Sequence, residues 1–213
     1  GVAEPCKVIA KEQEAVYKYT MKANTVAVIS DGSAVLGLGN IGSYAALPVM
    51  EGKAVLFKEF GQVNAVPICL DTQDTEEIIK TIVNIAPAFG GINLEDISAP
   101  RCFEIEERLK ELLDIPVFHD DQHGTAIVVL AGIINALKVT GKQKDSCKVV
   151  VNGAGSAGIA ITKLLLTYGF SHITMCDING ILSKNSPNLN YMQKYMTEVT
   201  NLEEKEGTLA DAP

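Results

Sequence analysis

Short runs of β-branched and apolar residues recur along this sequence, and helix-length segments separate them. Such a run is typical of a strand that is buried on both faces of a sheet. Six runs stand out, at residues 25–30, 63–70, 91–94, 117–118, 148–151 and 173–176. Because parallel strands need a long crossover, usually a helix, this alternation predicts βαβ units and an α/β fold with parallel sheets.

The composition excludes several classes of protein. The chain is 47% hydrophobic and 21% charged, which is ordinary for a soluble globular protein. A net charge of −8 argues against nucleic acid or a membrane as partner, because binding phosphates needs clustered Lys and Arg. No apolar run reaches the roughly 18 residues that a membrane helix needs. The five scattered cysteines form no CxxC pair, which fits a reducing, cytoplasmic location.

The sequence GAGSAG at residues 153–158 is a GxGxxG motif that follows the strand-like KVVV and opens a helix. The three glycines allow a tight turn, a close approach to a pyrophosphate and close packing of helix on strand. Asp177 ends the next strand, near the separation of roughly 20 residues at which a carboxylate binds the ribose diol of NAD. The predicted cofactor-binding residues are Gly153, Ala154, Gly155, Ser156, Ala157, Gly158 and Asp177. A tight strand-to-helix turn without a ligand is the alternative.

A second GxGxxG match lies at residues 37–42. The strand that follows it ends only at Asp71, too far along the chain for a ribose clamp. We expect this loop to have a structural role or to contribute to a substrate site.

Two acidic pairs, Glu95-Asp96 and Asp120-Asp121, follow consecutive predicted strands. The carboxyl ends of parallel strands share one edge of a sheet, where ligands bind. Four converging carboxylates would repel one another unless a hard cation such as Mg²⁺ or Mn²⁺ lay among them. Alternatively, each pair stabilises the N-terminus of the next helix through its dipole. The residues alone leave both interpretations open.

Three basic side chains accompany these acids. Lys53 lies in an apolar segment, where a lysine has a lowered pKa and can act as a base; a surface lysine with a buried stem is the alternative. His119 and His123 flank the second acidic pair, but without a cysteine partner they do not favour zinc. We expect them to pack around the site.

Taken together, these motifs resemble the malic enzyme family in its shorter, bacterial-type form. The resemblance covers nearly all of residues 1–182. It rests on the segments GVAEPC, SDGSAVLGLGNIG, LPVMEGKAVLFKEF, INLEDISAP, IPVFHDDQHGTA, VVNGAGSAG and MCDINGIL. It implies a catalytic domain with a parallel sheet at residues 1–122, followed at 123–213 by the first part of a Rossmann-type NAD(P)-binding domain.

The resemblance also implies an activity and residue roles. The family decarboxylates L-malate oxidatively to pyruvate and CO₂, with NAD or NADP and with Mg²⁺ or Mn²⁺. Glu95, Asp96 and Asp121 look like the metal ligands. Lys53 looks like the general base that takes the proton of the malate hydroxyl, and Asp120 like the carboxylate that holds this lysine. The charge of Asp177 favours NAD, yet the family uses both cofactors. A homodimer or larger homo-oligomer is expected.

The chain departs from the family pattern at both ends. The family's general-acid tyrosine lies in a YTPGVA-like segment, and this chain begins at its GVA; Tyr17 and Tyr19 do not occupy that position. The later part of the nucleotide domain is also missing. We therefore expect a fragment that does not turn over malate by itself, with uncovered apolar surface that favours aggregation or domain swapping.

Two other functions remain open from the sequence. One is a non-catalytic module that binds a dinucleotide or another metabolite, which the missing tyrosine favours. The other is an oxidoreductase similar to the amino-acid dehydrogenases, which has no use for the metal carboxylates. Metal dependence would separate that function from malate decarboxylation.

Overall fold

The computed structural model describes all residues, Gly1–Pro213. They form two compact units, Gly1–His119 and Asp120–Pro213. The predicted α/β class with parallel sheets is confirmed. The assignment of residues 1–122 and 123–213 to two functional domains stays a prediction.

The first unit contains a four-stranded parallel sheet with helices between its strands. Its elements are α1 (Ala3–Lys11), α2 (Val16–Tyr19), β1 (Thr25–Ser30), α3 (Gly42–Gly61), β2 (Asn64–Cys69), α4 (Thr75–Ile85), β3 (Gly91–Leu94), α5 (Arg101–Leu112) and β4 (Val117–His119). The strand order is β2-β1-β3-β4, and every neighbouring pair is parallel. The strands β1 and β3 are therefore central. All four residues of β3 are buried, as expected of a strand covered on both faces.

The helix α4 shows how the local sequence sets an element's bounds. Asp74 caps its N-terminus by accepting a hydrogen bond of 2.9 Å from the backbone N–H of Glu77. Ile78, Ile79 and Ile82 recur at helical spacing and are all buried. Both features can be read from the sequence, in which a capping Asp precedes isoleucines at helical spacing.

The helix α3 is continuous over its 20 residues, although Pro48 lies inside it. Because proline usually breaks a helix, the sequence of residues 43–60 predicts a helix with a break near Pro48 and Gly52, and that prediction is wrong. A proline removes one backbone hydrogen bond, to the carbonyl four residues earlier, here that of Tyr44. Tyr44 lies on the exposed face of the helix, and the packing of the completely buried Ala46 and Met50 keeps the helix intact.

The second unit begins with a π-helical turn, Asp120–Gly124, that continues directly into a helix. Its elements are α6 (Thr125–Thr140), β5 (Lys148–Asn152), α7 (Ser156–Tyr168), β6 (His172–Asp177), β7 (Gly180–Ile181) and α8 (Tyr191–Val199). The strands β5 and β6 are parallel, and the short β7 is antiparallel to β6. Leu165, Phe170 and Ile173 form a buried cluster in this unit, against which side chains such as Leu130 and Leu137 of α6 pack.

The helical segment Asp120–Thr140 is 21 residues long, and it is long and apolar enough to cross a membrane. The expectation that nothing in the sequence reaches this length is therefore wrong. It counted uninterrupted apolar residues, whereas a helix tolerates polar residues between them. Length and composition alone do not place the helix in a membrane. Only Gln122 and Ala126 of its residues are buried, and Ile127, Val128 and Val139 are exposed, so the expected uncovered apolar surface is present.

Candidate functional site

Lys53 and Glu95 form an ion pair at the carboxyl edge of the first sheet. Lys53 Nζ lies 3.2 Å from Glu95 Oε1, and the lysine side chain is 20% exposed. The helix α3 places the lysine there, because Lys53 continues the face on which Ala46 and Met50 are completely buried. This contact was not predicted; Asp120 was expected to hold the lysine, and that role stays a prediction.

Asn93 holds the other oxygen of the same carboxylate. Residues two apart on a strand point to the same face of a sheet, so Asn93 in β3 and Glu95 just after it share a face. Asn93 Nδ2 donates a hydrogen bond of 2.9 Å to Glu95 Oε2. Both residues are buried, at 2% and 5% exposure. The backbone N–H of Glu95 donates to the carbonyl of Ile29 in β1, which fixes the residue at the sheet edge.

Asp96 turns the chain away from β3. Its φ of +56° lies in the left-handed region, which Asp and Asn adopt more readily than most other residues. Its carbonyl accepts a hydrogen bond of 2.9 Å from the backbone N–H of Ala34. Asp96 is 3% exposed. The turn therefore leaves two consecutive buried acidic residues, Glu95 and Asp96, at the end of a central strand.

Arg101 ties this turn to the loop that follows β1. Its guanidinium donates to Asp31 Oδ2 at 2.8 Å and to Ser33 Oγ at 3.0 Å. It also donates to Ser98 Oγ and to the carbonyl of Gln73. Ser33 Oγ in turn accepts from the backbone N–H of Ser98. With four acceptors, the guanidinium acts as a fixed link between loops.

The second acidic pair follows the neighbouring strand. Leu94 of β3 and His119 of β4 are register partners, and each is followed in the chain by an acidic pair. Asp120 and Asp121 open the π-helical turn of the second unit. His119 is completely buried in β4, which fits the packing role expected of it.

The loop at residues 37–42 closes on itself. Val35 and Gly39 form an isolated antiparallel bridge. Gly37, Gly39 and Gly42 all have φ near +80°, the region that favours glycine. A Cβ atom on Gly32 would lie 2.2 Å from the carbonyl oxygen of Gly42, so the end of this loop packs against the turn that follows β1. These contacts fit the structural role that we expected as one of two possibilities.

The GxGxxG loop at residues 153–158 joins β5 to α7. Gly153 has φ of +131°, and a Cβ atom on Gly158 would lie 1.8 Å from its carbonyl oxygen. Gly155 precedes the helix, and no side chain caps that N-terminus. The first backbone N–H groups of a helix have no intrahelical partner and suit an anion such as a phosphate. The loop thus offers backbone donors and a close approach.

Asp177 ends β6 at the same edge of the sheet. Asn152 and Cys176 are register partners, and the backbone N–H of Gly153 donates to the carbonyl of Cys176 at 2.9 Å. Asp177 Oδ1 accepts a hydrogen bond of 2.7 Å from the backbone N–H of Asn179, which orients the carboxylate. Burial raises the pKa of the neighbouring Cys176 thiol, and the charge of Asp177 adds to this. That thiol is therefore unsuited to act as a nucleophile.

Sequence reasoning missed three side chains that hold these sites. Asn93 and Arg101 have the contacts described above, and Gln193 of α8 donates a hydrogen bond of 3.1 Å to the carbonyl of Ala154 in the glycine loop. Only Asn93 carried a signal, because a polar residue two positions before an acid interrupts an apolar strand. The other two contacts join segments that are distant in sequence.

Family models for two domains match almost the whole chain. Residues 1–110 match the family model for the malic enzyme N-terminal domain. Residues 122–212 match the family model for the malic enzyme NAD binding domain.

Individual proteins resemble the chain over almost its whole length. The NAD-dependent malic enzyme of Geobacillus stearothermophilus is 61% identical over 99% of this chain and 44% of its own length. The bifunctional malic/malolactic enzyme of Bacillus subtilis is 59% identical over 99% of this chain and 52% of its own length. The crystal structure of the NAD-dependent malic enzyme from Thermotoga maritima has a TM-score of 0.97 at 53% identity, covering 100% of this chain and 57% of that one. The chain spans about half the length of the curated relatives it matches.

Proposed function

This chain belongs to the malic enzyme family, and from that premise we propose that it carries the metal site, the base and part of the cofactor site of a malate-decarboxylating enzyme. The reaction is the oxidative decarboxylation of L-malate to pyruvate and CO₂ with reduction of NAD or NADP. The observation that carries the proposal is the Lys53–Glu95 ion pair beside Asp96. It joins a basic group to a buried carboxylate where ligands of parallel sheets bind.

The donor set fits a hard divalent cation. Glu95 and Asp96 are both more than nine-tenths buried, and carboxylate oxygens suit Mg²⁺ or Mn²⁺ better than zinc. In our proposal Asp121 joins them as the third ligand. When bound, the cation supplies Lewis-acid stabilisation of negative charge on substrate oxygens.

Lys53 is the proposed base. As the neutral amine, its Nζ takes the proton from the C2 hydroxyl of malate. A dinucleotide held at the glycine loop would supply the acceptor for the hydride of C2. The oxidised product is a β-keto acid, whose C3–carboxylate bond then breaks to release CO₂. Asp120, directly after β4, is the proposed partner that orients the lysine. Protonation of C3 needs a further acid.

The cofactor site is proposed at the glycine loop. Backbone N–H groups at the start of α7 face the pyrophosphate, and Gly155 permits its close approach. The remaining loop residues, Gly153, Ala154, Ser156, Ala157 and Gly158, shape the turn. Asp177 accepts hydrogen bonds from the ribose diol, and its charge disfavours the 2′-phosphate of NADP. We propose a homodimer or larger assembly in the cytoplasm, acting on small molecules.

The test is an assay of a protein of the relatives' length that contains this chain. We expect NADH or NADPH to form from L-malate with Mn²⁺, and formation to stop when the metal is chelated. Lys53→Met should remove activity. Thr25→Val should not, because Thr25 begins β1 and so lies at the edge of the sheet opposite the proposed site. Oxidation of an amino acid without metal would instead support a dehydrogenase of that class. Cofactor binding without turnover of malate would support a binding module.

A further inference from the structure

We propose that Asn93 is a positioning residue that orients the carboxylate of Glu95 for a divalent cation. The inference rests on the proposed function, because it concerns the same metal site. It starts from one contact, the 2.9 Å hydrogen bond from Asn93 Nδ2 to Glu95 Oε2. The site residues predicted from the sequence did not include Asn93.

The placement of Asn93 argues for a specific role. It is the middle of the three residues of β3 that pair with both β1 and β4, opposite Val28 and Phe118. Its neighbours Ile92 and Leu94 are apolar and buried. A buried carboxamide is unfavourable unless it is hydrogen-bonded. An apolar residue would suit a central strand better, so the contact with Glu95 accounts for an amide there.

The two partners of the Glu95 carboxylate act differently. Lys53 lies against Oε1 and opposes the negative charge. Asn93 is neutral, so its hydrogen bond to Oε2 fixes the rotation of the carboxylate without reducing the charge that attracts a cation. Because Asn93 is buried and fixed in the central strand β3, its hydrogen bond holds the plane of the Glu95 carboxylate in one orientation.

Groups that orient metal ligands in this way have measurable effects. Removing such a partner weakens metal binding by about 10-fold to 100-fold. A purely structural asparagine would change stability and leave the intrinsic affinity of the folded protein for metal unchanged. The two roles thus differ in their effect on the dissociation constant of Mn²⁺.

The experiment measures Mn²⁺ binding to the 213-residue chain by electron paramagnetic resonance of the free ion. Asn93→Leu keeps the approximate size and removes the donor, and Asn93→Ser is too short to reach Glu95. Both should weaken Mn²⁺ binding by about 10-fold to 100-fold. Asn93→Gln keeps the carboxamide and should restore much of the affinity. Thr25→Val is the matched control, a buried polar residue of the same sheet without a hydrogen bond to the site.

The outcomes are separable. Unchanged Mn²⁺ affinity in folded Asn93→Leu or Asn93→Ser would overturn the inference and leave the metal site intact. Equal weakening in Thr25→Val would overturn it too, since the effect would then reflect the sheet in general. Glu95→Gln gives the level of Mn²⁺ binding that remains when the Glu95 carboxylate is removed. A wild-type chain that binds Mn²⁺ no better than Glu95→Gln would overturn the proposed metal site, and the inference with it.

Discussion

Gly158 lies so close to Gly153 that a Cβ atom on Gly158 would stand 1.8 Å from the carbonyl oxygen of Gly153. The helix α7 and the loop before it therefore meet backbone against backbone. No side chain fits between them, and the loop cannot keep its shape with any other residue at position 158.

The first prediction concerns this contact. Gly158→Ala must push the loop away from α7, which we expect to destabilise the second unit by about 1–3 kcal/mol, as overpacking does. It should also weaken NADH binding, measured by the fluorescence of the bound cofactor. Gly132→Ala in α6 is the control, because its Cβ meets nothing within 4 Å. Alanine there should stabilise the helix by about 0.5–1 kcal/mol. Equal effects of both changes on unfolding would contradict the prediction.

The second prediction concerns Arg101. The Asp31 side chain is completely buried and Arg101 is its ion-pair partner at 2.8 Å. Arg101→Met leaves that carboxylate without its partner, which typically costs about 3–5 kcal/mol of unfolding free energy. Denaturant unfolding measures the change. Arg108→Met on the same helix removes two more exposed ion pairs, with Glu76 and Glu104, and should change stability little. If both variants lower the unfolding free energy by the same amount, the link that Arg101 forms between the loops does not stabilise the fold.

The third prediction is a pH dependence. Hydrogen bonds from Arg108 lower the pKa of the Glu76 carboxyl below its ordinary value of 4.5. A lowered pKa in the folded state stabilises the protein above the ordinary value and loses this effect as pH falls through the folded-state value. Wild type should therefore melt at a slightly higher temperature than Glu76→Gln at neutral pH, and this small difference should vanish in acid and shrink in salt. Glu107→Gln, exposed on α5, should show no such pattern.

The fourth prediction concerns cofactor choice. Asp177→Asn keeps an oxygen that can accept from the backbone N–H of Asn179, so the turn should survive. It removes the negative charge that binds the ribose diol, which should weaken NADH binding by about tenfold. The charge loss should also relieve repulsion of NADPH, so the ratio of the two dissociation constants should shift toward NADPH. Asp145→Asn, exposed in the same unit, should leave the ratio unchanged; an unchanged ratio in Asp177→Asn would refute the assignment.

The sequence was sufficient to predict most of the fold. Buried parallel strands are nearly continuous apolar runs, so Thr25–Ser30 and Gly91–Leu94 could be recognised directly. The continuous helix around Pro48 could not be recognised in this way. The rule that proline breaks a helix considers only the local sequence, whereas the packing of Ala46 and Met50 depends on the rest of the fold. Tertiary packing outweighs one lost hydrogen bond there.

The candidate site was predictable only where residues adjoin in sequence. The acidic pair Glu95-Asp96 stands at a strand end and could be identified, and so could the glycine loop with Asp177. The partners that orient these groups could not be found in that way. Lys53 reaches Glu95 from 42 positions away in the chain, and only the fold brings them to 3.2 Å.

The tight contact between Gly158 and Gly153 has a thermodynamic consequence. A loop fixed by backbone contacts is already ordered before a dinucleotide arrives, so binding loses little conformational entropy in the protein. Gln193 adds to this by holding the carbonyl of Ala154. The phosphates would then meet a preformed receptor, and cofactor association should proceed without a slow rearrangement of the loop.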